Sequence, residues 1–351
     1  MTGITALDTV NLRKGDMQLP DLYIVGGQSK KEAEQKDEWH RHKQGLILRV
    51  SPQSNSAEMR VEYVTPPEAR PEEDPSIIFK TGALQDNKLY VCTQTEVLIY
   101  ALPNFEQVGY VSLPCFNDLH HVLPTPEGNL LVTVTGLDMV VEVTLEGEIL
   151  REWGAIEGQD PWSRFSREVD YRRIATTKPH EAHPNHVFQV GEDIWVTRFE
   201  QRDAICLTQP DQHIDIGVQR PHDGDIHEGR IYFTTVDGHI VIANLKNKQV
   251  EQIIDLNEMG NSNRALGWCR GLHILDEEHM IVGFSRIRPT KIRENVQWIK
   301  HRFGLRENAG KQPARIALYN IKESKLCWEQ NLEEAGLNVI FSIHAATEQI
   351  Q

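Results

Sequence analysis

The chain has 351 residues, 39% of them hydrophobic and 25% charged, with a formal net charge of −14. That apolar share is enough for a folded core, while the negative charge argues against nucleic-acid backbones and anionic membrane surfaces as partners. No apolar run is long enough to span a bilayer. The opening stretch MTGITALDTVNLRKGD lacks the apolar segment of a secretory signal. The five cysteines are scattered without a CxxC pair, so a reduced, cytoplasmic protein is expected.

Short strands and turns follow one another along the whole chain. DLYIVGG, GLILRV and MRVEYVT come first, then KLYVCTQ, EVLIYAL and QVGYVSL, then NLLVTVTG, MVVEVTL and GEILREWG. DIWVTRF, DAICLTQ and HIDIGVQ lead into RIYFTTV, HIVIANL and QVEQIIDL, and the series ends with MIVGFSR, RIALYNI and KLCWEQNL. Branched and aromatic residues dominate these runs, and Gly, Asn, Asp or Pro punctuates them. Helical periodicity is convincing only at IRENVQWIKHRFG.

Such strand groups recur about every 40–50 residues, a propeller-blade period. Units begin near Ile78, His121, His186, His222 and His273. A sixth is split: the tail VIFSIHAATEQ provides an innermost strand and DLYIVGGQ the next one. Pairing residues 341–348 beside residues 21–27 would close a ring and remove two open sheet edges. The expected fold is therefore all-β, a six-bladed β-propeller forming one domain over 1–351; five or seven blades would follow from a different division of the N-terminal third. Insertions fall near 28–44, 154–178 and 289–313, and PPEARPEEDP links two blades. Segments of this kind are usually surface excursions, but long loops in compact domains also serve as lids. The 154–178 loop precedes the histidine-rich KPHEAHPNH and is expected to cover a site.

The segment NDLHHVLPTPEGNLLVTVTGLDMVVEVTLEGEILREWG resembles one repeat of the NHL-type propellers: a His before the inner strand, a PEGN turn and an apolar second strand. PHDGDIHEGRIYFTTVDGHIVIANL repeats the pattern more weakly, and the resemblance covers roughly residues 78–285. It implies the architecture and no particular activity. Propellers of similar architecture include amidating lyases with a His-held zinc and virginiamycin lyases with His near the axis. The larger carotenoid-cleaving oxygenases hold iron with four axial His.

Five of the fifteen histidines occupy one place in this repeat: His121, His186, His222, His273 and His344. In a closed ring such positions converge on the axis, and neutral imidazole suits Zn, Fe, Cu and Ni. Three imidazoles and a water make a catalytic zinc site; four leave open positions on iron. The expected centre is thus Fe(II), with zinc second, acting on a small-molecule substrate. Oxygen-dependent oxidation would follow from iron, and lyase or hydrolase chemistry from zinc. Lone strand histidines more often serve as structural hydrogen-bonders, so capping of the inner strands is the competing reading, and with it a scaffold for a protein partner.

Asp118, Glu181 and Arg270 are the expected catalytic or orienting groups, with Asp223 and Asp225 as flanking acids that could instead cap turns. Arg264 and Arg270 could hold an anionic substrate, and Trp268 an apolar wall. The second blade offers Phe79, Lys80 and Thr81 where the others have His. No GxSxG, P-loop, GxGxxG, HExxH or EF-hand motif occurs, so serine hydrolase, nucleotide and zincin readings have no support.

Overall fold

The computed structural model describes residues 17–31, 36–260, 266–286 and 312–346. In chain order, β1 (Leu22–Ser29), β2 (His42–Ser51) and β3 (Ser56–Tyr63) open the fold. The second blade is β4 (Ala83–Gln85), β5 (Lys88–Cys92), β6 (Val97–Ala101) and β7 (Glu106–Val111). The third is β8 (Leu119–Pro124), β9 (Leu130–Val134), β10 (Met139–Val143) and β11 (Ile149–Gly154). The fourth is β12 (Pro184–Val190), β13 (Asp193–Arg198), β14 (Asp203–Cys206) and β15 (His213–Asp215). The fifth is β16 (Pro221–His227), β17 (Arg230–Thr235), β18 (His239–Asn244) and β19 (Val250–Asp255). The sixth is β20 (Trp268–Ile274), β21 (His279–Ser285), β22 (Arg315–Asn320) and β23 (Lys325–Asn331), and β24 (Val339–Ala345) returns to the first blade.

These strands form six four-stranded antiparallel sheets, and β24 supplies the innermost strand of the sheet β24-β1-β2-β3. The expected six-bladed propeller and its closure by mixed termini are both present. Closure is tight. Gly26 stands opposite Ile340, and a Cβ at Gly26 would lie 1.9 Å from the Val339 carbonyl oxygen. Gly26→Ala should therefore force the two terminal strands apart and lower stability by about 2 kcal/mol or more, as overpacking does. Urea unfolding of the two proteins measures this, and an unchanged midpoint would mean that the terminal pairing contributes little.

The middle strands are apolar on both faces because each is sandwiched between blades. In the third blade, Val132, Val134, Met139 and Val141 pack with Leu119, Val122 and Tyr171 on one side. Leu131 and Val140, on the alternate face, pack with Val187 and Val196 of the fourth blade. Period-two alternation fades in such strands, and near-continuous runs such as MVVEV take its place. The outer strand β11 is mostly exposed or half-buried and carries Arg151 and Glu152, which discourages edge-to-edge pairing.

The insertions near 28–44 and 154–178 lie largely between strands. The first lies between β1 and β2 and contains the one-turn helix α1 (Glu38–Arg41). The expected helix at IRENVQWIKHRFG, and most of the 289–313 insertion, lie outside the described residues. All five cysteines are free thiols, and Cys92 and Cys115 are pushed up to about 12, chiefly by burial. Among the described residues no helix is long and apolar enough to cross a membrane.

Candidate functional site in the propeller axis

Five of the six innermost strands carry the same irregularity; β4 pairs with β5 in unbroken register. In β8, His120 and His121 together oppose Thr133, because the register jumps between Leu119 and His121. In β12, Asn185 and His186 oppose Thr197; in β16, His222 and Asp223 oppose Thr234. In β20, Arg270 and Gly271 oppose Gly283, and in β24, Phe341 and Ser342 oppose Val25. A bulge of this kind adds a residue and re-aims side chains next to functional sites. Around the ring it sorts the axial residues into three layers.

The first layer holds His120, Asn185, His222, Arg270 and Phe341. The His120 and His222 rings lie 5.8 Å apart and the His222 and Phe341 rings 5.6 Å apart, while the Arg270 guanidinium sits 4.6 Å from the Phe341 ring centre. The second layer holds His121, His186, Asp223, Gly271 and Ser342. The His121 and His186 rings stack at 4.0 Å. Two residues further along the strands, on the same face, come Leu123, Phe188, Asp225, His273 and His344.

A cavity of about 460 Å³ opens over the second and third layers, lined by His121, His186, Asp223, Asp225, His273 and His344 among others. Four of the five expected metal ligands thus face one cavity. His222 does not line it; its place there is taken by Asp223. Two residues along a strand amount to roughly 6.6 Å, so His273 and His344 stand well beyond His121 and His186. Among the described residues no group of three or more His, Cys, Asp or Glu is placed to hold a metal ion. His121 is also committed elsewhere: its Nδ1 accepts from the Val187 amide at 3.3 Å, and it bonds the Gly82 backbone. His344 Nε2 lies 3.0 Å from the Ser342 hydroxyl. The sequence-based expectation of one four-His iron centre, or of a three-His zinc site, does not fit this arrangement.

The cavity imidazoles are neutral near pH 7. Burial holds His186 down to about 4 and His121 well below its ordinary range; burial followed by the neighbouring His273 takes His344 to about 3. His273 is also lowered, first by burial and then by His227. The two carboxyls diverge. Burial would raise Asp223, but His222 Nδ1 at 2.8 Å and the Gly271 amide at 2.6 Å outweigh it and bring it to about 2. Asp225 accepts from the Ile274 amide at 3.2 Å and from the Ile226 amide, yet burial outweighs both and raises it to about 6.

The expected catalytic residues separate. Asp118 and Arg270 belong to the first-layer side, beneath the cavity floor made by Phe341 and Asp223. Asp118 pairs with the buried Lys80 ammonium, which overrides burial and holds the carboxyl well below its usual range. Arg270 packs on Phe341 and Trp268. Glu181 is corrected: it lies near the surface, 3.3 Å from Arg164, because its backbone amide is tied to Asp138 and its side chain turns outward. Arg264 lies outside the described residues.

The 154–178 loop is corrected as well. It covers the first-layer side, where His180 and His183 meet at 2.8 Å between their Nδ1 atoms and His183 approaches His120. Asn117 donates to the Tyr171 and Ile174 carbonyls at 2.8 Å, Arg173 grips the Arg70 carbonyl and Glu72, and Tyr171 is buried in the core. The loop is thus built into the end of the axis opposite the cavity mouth. The residues that sequence reasoning left out are Phe188, Leu84 and Leu123, the apolar cavity walls, and Asp225 as anything beyond a flanking acid.

No family profile matches the chain, and no curated protein matches it. Among solved structures it is similar to a protein of unknown function from Bacteroides caccae, 14% identical over 93% of this chain and 98% of that one, with a TM-score of 0.59. It is also similar to virginiamycin B lyase from Staphylococcus aureus, 13% identical over 68% of this chain and 73% of that one, TM-score 0.42. A catalytically inactive His-to-Ala variant of that lyase with quinupristin gives 13%, 68%, 69% and 0.43. What is shared is the fold. Such identities carry no activity across, because propellers host many chemistries.

Proposed function

We propose that this protein is an enzyme that acts on a small organic molecule in the axial cavity, with Asp225 as the general acid–base group. The observation that carries the reading is Asp225 itself: a carboxyl lining the cavity and raised by burial to about 6. A proton-transfer group works best with its pKa near the operating pH, and a perturbed carboxyl in a partly apolar cavity is a usual mark of such a site. His273 and His344, on the next two inner strands, offer neutral imidazoles that can donate or accept hydrogen bonds to the substrate. The chemistry is redox-neutral, of the lyase or hydrolase type. Iron-dependent oxidation, and zinc after it, has no convergent ligand set to support it among the described residues.

The test is a screen of small organic compounds for turnover, followed by the pH dependence of kcat/KM. We expect a limb near pH 6 that Asp225→Asn abolishes, with a loss of about 100-fold or more. His273→Ala should lower activity, while His40→Ala, in the first-blade insertion, should not. Full activity in Asp225→Asn would remove this reading.

A further inference from the structure

The cavity also has a chemical preference, which rests on the reading above as a substrate site. Among the described residues lining it there is no lysine or arginine, while two carboxyl groups, Asp223 and Asp225, and four imidazoles face it. The imidazoles add no positive charge, since each is held neutral by burial. Two buried cations belong to the other side of the floor: Lys80 is paired with Asp118, and the Arg270 guanidinium lies against Phe341. Asp223 is already satisfied by His222, Thr81 and Gly271. Asp225 accepts only backbone bonds, from the Ile274 and Ile226 amides, and a carboxylate with about four lone-pair sites retains acceptor capacity.

His186 is a second polar group of the cavity wall. His186 is 9% exposed, lines the cavity, and its Nδ1 is buried with no hydrogen-bond partner. Buried polar atoms without partners are uncommon and ask for an explanation. The walls between these acceptors are apolar, from Leu84, Leu123 and the ring of Phe188. An ammonium group presents three donors and no acceptor, and an aromatic face attracts a cation.

We infer that the cavity takes a small organic cation, a primary amine in its ammonium form with an apolar body, seated against Asp225 with its apolar part on Leu84, Leu123 and Phe188. An organic anion would meet the two carboxylates with no lysine or arginine among the described lining residues to offset them. A volume of about 460 Å³ lies in the ordinary range of small-molecule sites.

The experiment is titration calorimetry of the native protein at pH 7.5 with three probes of one shape: benzylammonium, benzyl alcohol and benzoate. Benzylammonium should bind at least about ten-fold more tightly than benzyl alcohol, and benzoate should show no binding. Asp225→Asn should bring benzylammonium down to the level of the alcohol. Benzoate binding as tightly as benzylammonium, or benzylammonium binding no better than the alcohol, would overturn the inference. The native-protein comparison decides even if Asp225→Asn does not fold. A failure here would remove the cation preference and leave the acid–base role of Asp225 standing; full turnover by Asp225→Asn would remove that role and leave measured cation binding in place.

Discussion

Asp225→Asn is expected to make the protein more stable at pH 7.5 while removing its catalysis. The folded-state carboxyl sits at about 6, above its ordinary 3.8. The native state therefore holds this proton more tightly than the unfolded chain does. The stability linked to it is complete below about pH 4 and is lost as pH rises through 6. Two units correspond to roughly 3 kcal/mol. Asp225 is not sealed from solvent, because it faces the cavity, so the recoverable part is about 1–2 kcal/mol. Asparagine keeps an acceptor for the Ile274 amide and carries no charge to desolvate. The gain should appear in thermal melts above pH 6 and vanish near pH 4.5. An Asn variant that is less stable than the parent at both pH values would show that the ionised carboxyl is not strained, and the argument for its tuned proton affinity would weaken with it. Sites held in an unfavourable state for function commonly show this opposition of stability and activity.

The fold was legible in the sequence because the middle strands are buried on both faces. Runs such as MVVEV and IVIAN announce sheets packed against sheets, and a strand left over at each terminus announces closure. The axial site was legible only in part. Four of the five histidines chosen by their place before an apolar strand do face one cavity. Their height in it was hidden, since a bulge shifts the register by one residue and leaves no mark in the sequence. His120 and His121 are neighbours in the chain, yet one contacts His222 and Phe341 and the other stacks on His186. His222 was taken as the equivalent of His186, whereas the equivalent residue is Asp223. Asp225 was read as a flanking acid or a turn cap, because nothing in HDGDIHEG shows that the second Asp faces an enclosed space. The 154–178 loop was correctly placed beside the His180 cluster, but that cluster and the cavity belong to opposite ends of the axis.

Stability should fall steeply between pH 6.5 and 4, well above the range where carboxylate protonation unfolds most proteins. His120, His121 and His183 are held well below their ordinary value chiefly by burial, His180, His222 and His273 are lowered, and His186 is brought to about 4. In the unfolded chain each returns to about 6.5. Between those values the unfolded state binds more protons, so each contributes stability that is complete above pH 6.5 and lost as pH falls through its folded value. For His186 alone 2.5 units amount to about 3 kcal/mol. Asp225 acts in the opposite direction, gaining stability as pH falls, but it is one group against several. Total stabilities of about 5–15 kcal/mol are usual; at pH 5 each such imidazole has cost about 2 kcal/mol, so several acting together unfold the propeller by then. Urea titrations at pH 7.5, 6.5, 5.5 and 5.0 should give a slope of more than two protons taken up on unfolding, reduced by about one in His186→Gln. A flat profile over this range would mean that the axial imidazoles are already protonated or solvated in the native state, and the cavity could not then be the neutral, acceptor-rich chamber on which its preference for a cation depends.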